Sequence, residues 1–170
     1  DDVTLNGLIV TRSGRDPTAI DSGIKIIKGV HRALIDSNSL TENLHGIDVH
    51  GATGTTVRGN TITGLQTARM NERGNGIYVW NAPDTLAEGN NIRYGRDGIF
   101  SNTSKKDIYR NNIFRDLRFA VHYMYTNDSE ISGNVSIGNH LGYAVMFSER
   151  VVIRDNQSLS DRDYGLLLNA

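Results

Sequence analysis

Three side chains have the types and spacing to hold a soft metal ion. His122 and Met124 lie two residues apart and share a face of one strand, and Met146 is expected beside His122 one repeat later. An imidazole with two thioethers selects Cu(I) over Zn²⁺ or Mg²⁺. The chain contains no cysteine, which confines any such site to His and Met and leaves cysteine-ligated zinc and iron–sulfur centres without ligands. Tyr78, Trp80 and Phe100 are expected to adjoin these three residues in one outward patch that gathers the only Trp and two of the three Met. Such a cluster marks a docking face for a protein partner. Tyr78 and Trp80 also suit an oligosaccharide, by lying flat beneath a pyranose ring.

Acid–base chemistry has weaker support. Asp48 is the carboxylate expected to face outward, while Asp97, Glu149 and Asp163 stand beside Arg96, Arg150 and Arg162 in a pattern typical of a solvated face. Hydrolysis of a glycosidic bond needs two facing carboxylates, and none are legible. No phosphate-cradling glycine motif follows a strand and opens a helix. The residues therefore read as binding and not catalytic.

The elements that must position this patch follow from a repeat. The 170 residues include 18 Gly, 17 Asn and only 2 Pro. The 18 Lys plus Arg and 19 Asp plus Glu give a net charge of -1, which removes the electrostatic case for nucleic acid or an anionic membrane. No run approaches the roughly 20 apolar residues that span a bilayer. An apolar residue, two small or polar residues and then Asn recur at Asn6, Asn38, Asn60, Asn90, Asn111, Asn134 and Asn156, the last four separated by 21, 23 and 22 residues. A second pattern follows each copy, as in Gly46-Ile47-Asp48-Val49, Gly76-Ile77-Tyr78-Val79 and Ala144-Val145-Met146-Phe147.

A period near 22 with alternating short apolar bursts and no helical periodicity predicts an all-β fold, a right-handed parallel β-helix of about seven rungs. One domain, residues 1–170, is expected, with the Asn residues stacked as a ladder at one corner. Two intervals are longer and place loop insertions near 11–22 and 65–75, both at the same edge of the sheet that carries the patch. Alternation sends Ile47, Val49, Ile77, Val79, Ile99, Val121 and Val145 inward. One outward column then reads Lys25, Asp48, Tyr78, Phe100, His122, Met146 and Leu167, and the next runs through His50, Trp80, Asn102, Met124 and Ser148.

The stretches His122-Tyr123-Met124-Tyr125 and Gly142-Tyr143-Ala144-Val145-Met146-Phe147, with Arg154-Asp155-Asn156 and Asp161-Arg162-Asp163-Tyr164-Gly165 beyond them, resemble the NosD family, and the likeness is strongest from Asn75 onward. The resemblance implies a periplasmic, secreted β-helix that works with the membrane and ATPase subunits of an ABC transporter. It further implies a scaffold on which a copper chaperone and apo nitrous oxide reductase meet during copper-site assembly. Family members are about twice this length or more, so the chain is expected to be an internal piece of a longer solenoid. Which residues touch copper is not part of that resemblance; His122, Met124 and Met146 rest on face and ligand softness, with Cu(I) as a transient cargo. A carbohydrate-binding or uronate-modifying β-helix is the alternative reading, using the two loops around Arg15-Asp16-Pro17 and Arg69.

Overall fold

A computed structural model describes all residues from Asp1 to Ala170. Three parallel sheets of seven strands each wind into a solenoid of seven turns. The first sheet runs from Thr4–Asn6 to Val152–Arg154 and the second from Ile9–Thr11 to Gln157–Leu159, both in three-residue strands. The third sheet has the longer strands: Ser22–Ile27, His45–His50, Ile77–Trp80, Asp97–Lys105, Phe119–Asn127, Leu141–Met146 and Tyr164–Asn169. A single 3₁₀ turn, Met70–Glu72, interrupts the all-β pattern.

What sets the register is a buried amide column. Asn38, Asn60, Asn90, Asn112, Asn134 and Asn156 stack at the corner between the first and second sheets. Asn112 shows the unit: its Oδ1 accepts from the Asn90 backbone N–H and Nδ2 at 2.9 Å each, and its Nδ2 donates to Ala87 O and Asn134 Oδ1 at 3.0 Å each. Each amide thus satisfies its own polar atoms and two groups of the neighbouring rung, which removes the desolvation cost of burying it. The expected ladder is corrected at two positions. Asn111 is not a rung of it but the left-handed residue before Asn112, with φ of 56°, the same place that Gly59, Gly89 and Gly133 occupy. Asn6 pairs with Asp36 within the first sheet, and Leu8 takes the ladder position, donating its N–H to Asn38 Oδ1 at 2.9 Å. With these changes the steps become 22 residues in four cases and 30 in the two rungs that carry insertions.

The glycine that recurs at the head of the long strands, replaced only by Ala120, has a steric cause. A Cβ on Gly76 or Gly98 would overlap the carbonyl oxygen of the equivalent residue one rung on, Gly98 or Ala120, and an inward side chain of the second sheet. The inward columns match expectation: Ile47, Val49, Ile77, Val79, Ile99 and Val121 are fully buried, and Val145 nearly so. Larger inward residues alternate with small ones along a column, as where Tyr109 follows Ala87 and Ser136 follows Phe114, and across the core Tyr109 meets Tyr123 edge-on at 5.2 Å.

One interior group is ionisable. Asp107 is fully buried and accepts from Thr85 N–H at 3.1 Å, Ser101 Oγ at 3.2 Å and Tyr109 OH at 3.1 Å. Burial outweighs these donors and pushes its pKa up to about 7.

Two outcomes follow for stability. Asn112→Ala orphans buried groups on both neighbouring rungs and should cost about 3 kcal/mol or more, against about 1 kcal/mol for Asn111→Ala at the exposed turn. Urea unfolding of the two variants separates them, and equal losses would contradict the ladder. For Asp107, the native state holds its proton to about pH 7 while the unfolded chain releases it near 3.8, so its contribution falls as pH rises through that window and is level above it. Asp107→Asn should therefore gain stability over the parent as pH rises from acid to neutral, by at most about 4 kcal/mol. A pH-independent difference would contradict this.

Candidate functional site

The third sheet and the two insertions build the site. The insertions, which fill residues 12–21 and 64–76 between strands, leave the turn preceding this sheet and wall one cleft of about 850 Å³. Arg15 and Pro17 come from the first insertion and Asn71 to Gly74 from the second, while Tyr78, Phe100, His122 and Met124 reach it from the sheet.

The register of the sheet assigns the outward columns. Asp48, Tyr78, Phe100, His122 and Ala144 form one; His50, Trp80, Asn102, Met124 and Met146 form the next. Met146 therefore adjoins Met124 and not His122, a shift of two residues from expectation. Asn112 and Asn134 each stand eight residues before the strand head, so Asn134 brings Gly142 to the position of Ala120, and the matching Ala-Val dipeptides do not align. All six expected contact residues do share one face.

That face is less open than alternation implies. Tyr78 stacks between His45 at 5.7 Å and Phe100 at 5.5 Å, and Phe100 lies 4.7 Å from His122. Rings on successive rungs must stack this way, because the rung spacing of about 4.8 Å nearly equals the distance for offset aromatic pairs. Both faces of Tyr78 are thereby covered and its edge points outward, which leaves no platform for a sugar ring on it. Trp80 has one face against His50 at 4.4 Å. Trp80, Met124 and Met146 are half-buried, and His122 is only 6% exposed.

Asp48 is corrected more sharply. It is fully buried, with Lys25 Nζ 3.3 Å from one oxygen and His50 Nδ1 3.8 Å from the other, and burial raises its pKa. Asp97 is likewise no part of a solvated face. Its two oxygens take a bidentate pair from Arg118 one rung on, at 2.8 and 2.7 Å, and the second oxygen lies 3.1 Å from His122 Nδ1. Burial alone would raise the Asp97 pKa; the His122 and Arg118 hydrogen bonds outweigh it and hold the carboxyl below its ordinary value. Arg118 also lies 4.5 Å over the Phe119 ring.

This triad fixes the tautomer of the neutral His122 ring: with an ionised carboxylate on Nδ1, that nitrogen carries the proton and donates, and the lone pair is on Nε2. Nε2 is buried and has no hydrogen-bond partner, walled by Phe100 and by Phe119 at 4.8 Å. An unpartnered nitrogen walled by two phenylalanine rings, in a cleft that a thioether also lines, is a donor set that fits a soft cation. No cluster of three His, Asp or Glu side chains capable of holding a harder metal exists in the fold. Sequence reasoning missed Asp97, Arg118 and His45, whose signal lay in the constant rung length that brings Arg118 beside Asp97 across 21 residues.

A family model described as "Periplasmic copper-binding protein (NosD)" matches residues 59–170. The chain belongs to the NosD family. It is 34% identical over 168 residues to the probable ABC transporter binding protein NosD of Stutzerimonas stutzeri, covering 99% of this chain and 38% of that protein. The protein of the same name from Pseudomonas aeruginosa is 34% identical over 167 residues, covering 98% of this chain and 39% of its own length. The chain thus spans about two-fifths of these NosD relatives. Among solved structures, an alginate lyase from Paenibacillus sp. str. FPU-7 superposes with a TM-score of 0.68 at 12% identity, over 84% of this chain and 54% of the lyase, a likeness of fold alone. No helix is long and apolar enough to cross a membrane.

His45 supplies the prediction here. Its Nδ1 accepts the Asn75 N–H at 3.0 Å, and burial, then the nearby Lys25, lower its pKa to about 4. The unfolded chain protonates this ring near 6.5 and the native state does not, so His45 removes stability as pH falls through that window. Nitrogen-15 imidazole spectra at pH 5 should show His45 neutral with the proton on Nε2; a midpoint near 6.5 would contradict the buried acceptor role.

Proposed function

We propose that this chain is part of a non-enzymatic periplasmic scaffold for copper-site maturation of nitrous oxide reductase. It acts with an ABC transporter, and its third sheet receives a copper-carrying chaperone and the apo-reductase. Tyr78, Trp80, Phe100, His122, Met124 and Met146 form the contact face, and His122, Met124 and Met146 hold Cu(I) in passing. The observation that carries this reading is the buried, unpartnered Nε2 of His122 in the cleft that Met124 also lines. The matched family's description as periplasmic and copper-binding, and the relatives' names as ABC transporter binding proteins, support the setting.

The division of labour follows from the residues. Asp97 and Arg118 fix the imidazole and its tautomer. Met124 and Met146 are register partners whose flexible, polarizable side chains can re-pack around a cargo ion without moving the backbone. Cu(I) brings an affinity for soft donors and no demand for carboxylates. Much of the ring area around the donors is already spent on intramolecular stacking, which leaves less of it for a partner and suits a passing contact.

Anaerobic titration should give about one Cu(I) per chain, lost on His122→Ala and weakened at least about tenfold by the double change Met124→Leu, Met146→Leu. Unchanged stoichiometry and affinity in both would contradict the donor set. For the docking face, the double change Trp80→Ala, Met124→Ala should weaken partner capture while the melting curve stays that of a folded solenoid. Equal capture would contradict the face.

A further inference from the structure

The cleft beside the His/Met donors has a charge that neither copper nor an apolar docking face uses. Arg15, Arg73, Arg96 and Arg118 line it, against the carboxylates of Glu72 and Asp97. Asp97 is consumed by Arg118. Glu72 is turned back toward the backbone N–H of Arg69 at 3.3 Å. Arg15, Arg73 and Arg96 form no ion pair, although most other arginines of the chain do. In a chain of net charge -1 this is a local excess of positive charge, focused between two loop walls.

The three free arginines are also held apart. Arg15 sits in the first insertion; Arg73 is pinned in the second by donating to Ala68 O at 2.9 Å and Gln66 O at 3.0 Å; Arg96 stands at the head of the strand Asp97–Lys105. His45 also lines the cleft and, with its Nδ1 occupied by the Asn75 N–H, carries its proton on Nε2. Carboxylates on flexible stems can reach guanidinium groups carried by separate elements, and a backbone carbonyl suits the imidazole donor. A uronate chain would offer the same carboxylates to these arginines but also needs flat ground for its sugar rings, which the covered faces of Tyr78 and Phe100 do not give.

We propose that this cleft docks an acidic peptide segment of a partner protein, its carboxylates paired with Arg15, Arg73 and Arg96. The inference rests on the partner-binding part of the function proposed above and is independent of its metal part. Docking of an acidic segment here sets the partner's orientation against the adjoining His/Met face, and its electrostatic character raises the rate of encounter more than the final affinity.

Fluorescence anisotropy with labelled hexaglutamate tests it. The peptide should bind at low salt and weaken steeply as ionic strength rises. Arg96→Glu and Arg15→Glu should each weaken it at least about tenfold, whereas Lys106→Glu, exposed and outside the cleft, should change it by less than about twofold. Unchanged affinity in both reversals would overturn the site. Hexagalacturonate binding as tightly as hexaglutamate, and lost on the same reversals, would overturn the peptide assignment. Arg96→Glu should keep the Cu(I) stoichiometry of the parent, so loss of peptide binding is distinguishable from loss of the metal site. Failure of partner capture by a chain that still binds hexaglutamate would count against the docking function and not against the cleft.

Discussion

A hydrogen-bonded column of buried asparagine amides holds this protein in register. Each amide bonds to the backbone and side chain of the neighbouring rung, so a slip of one residue anywhere would orphan several buried polar groups at once. The constraint reaches the far side of the rung. From Asn90, Asn112 and Asn134 the head of the third sheet (Gly98, Ala120, Gly142) lies eight residues on, so side chains remote in sequence arrive stacked at the spacing of parallel strands. An insertion is tolerated only where it leaves the rung as a loop, and both 30-residue rungs obey this, projecting into one cleft.

The same stacking decides what the outward face can do. Rings forced into columns spend their faces on one another, which half-buries the aromatic patch and turns its edges outward. Burial of Asp97 beneath this column is sustained by a bidentate guanidinium and an imidazole, and that arrangement in turn commits His122 to one tautomer. The unpartnered nitrogen is thus a consequence of the electrostatics one layer below it. Next to it, Met124 and Met146 add soft donors, while Arg15, Arg73 and Arg96 leave positive charge along the cleft. On the proposed reading, the face combines a place for a soft ion with a place for an acidic chain.

Much of the fold was legible from spacing. The period near 22, the inward columns and the shared edge of the two insertions all emerge from residue order. What failed did so for local reasons. Asn111 and Asn112 are adjacent, and sequence does not say which is the left-handed turn residue and which the buried amide; only the bonds to Asn90 and Asn134 do. Met146 was displaced because the Ala-Val dipeptides at 120 and 144 look equivalent while the ladder count shows that Gly142 is the match. The candidate face was legible in composition but not in depth, since alternation tells which way a side chain points and not whether a neighbouring rung covers it. Asp48 and His122 point outward and are still buried. The Asp97–Arg118 pair was hidden because its members lie 21 residues apart, and nearest-neighbour charges drew attention to Arg96 instead.

The central claim is that the stacked face ends in a soft-donor site built from His122, Met124 and Met146. X-ray absorption at the copper edge, recorded on the chain loaded anaerobically with one equivalent of Cu(I), tests it most directly. The account predicts a first shell with one imidazole nitrogen and thioether sulfur, the sulfur scattering falling away when both methionines are changed to leucine. A shell of nitrogen and oxygen only, unaltered by those changes, would contradict it.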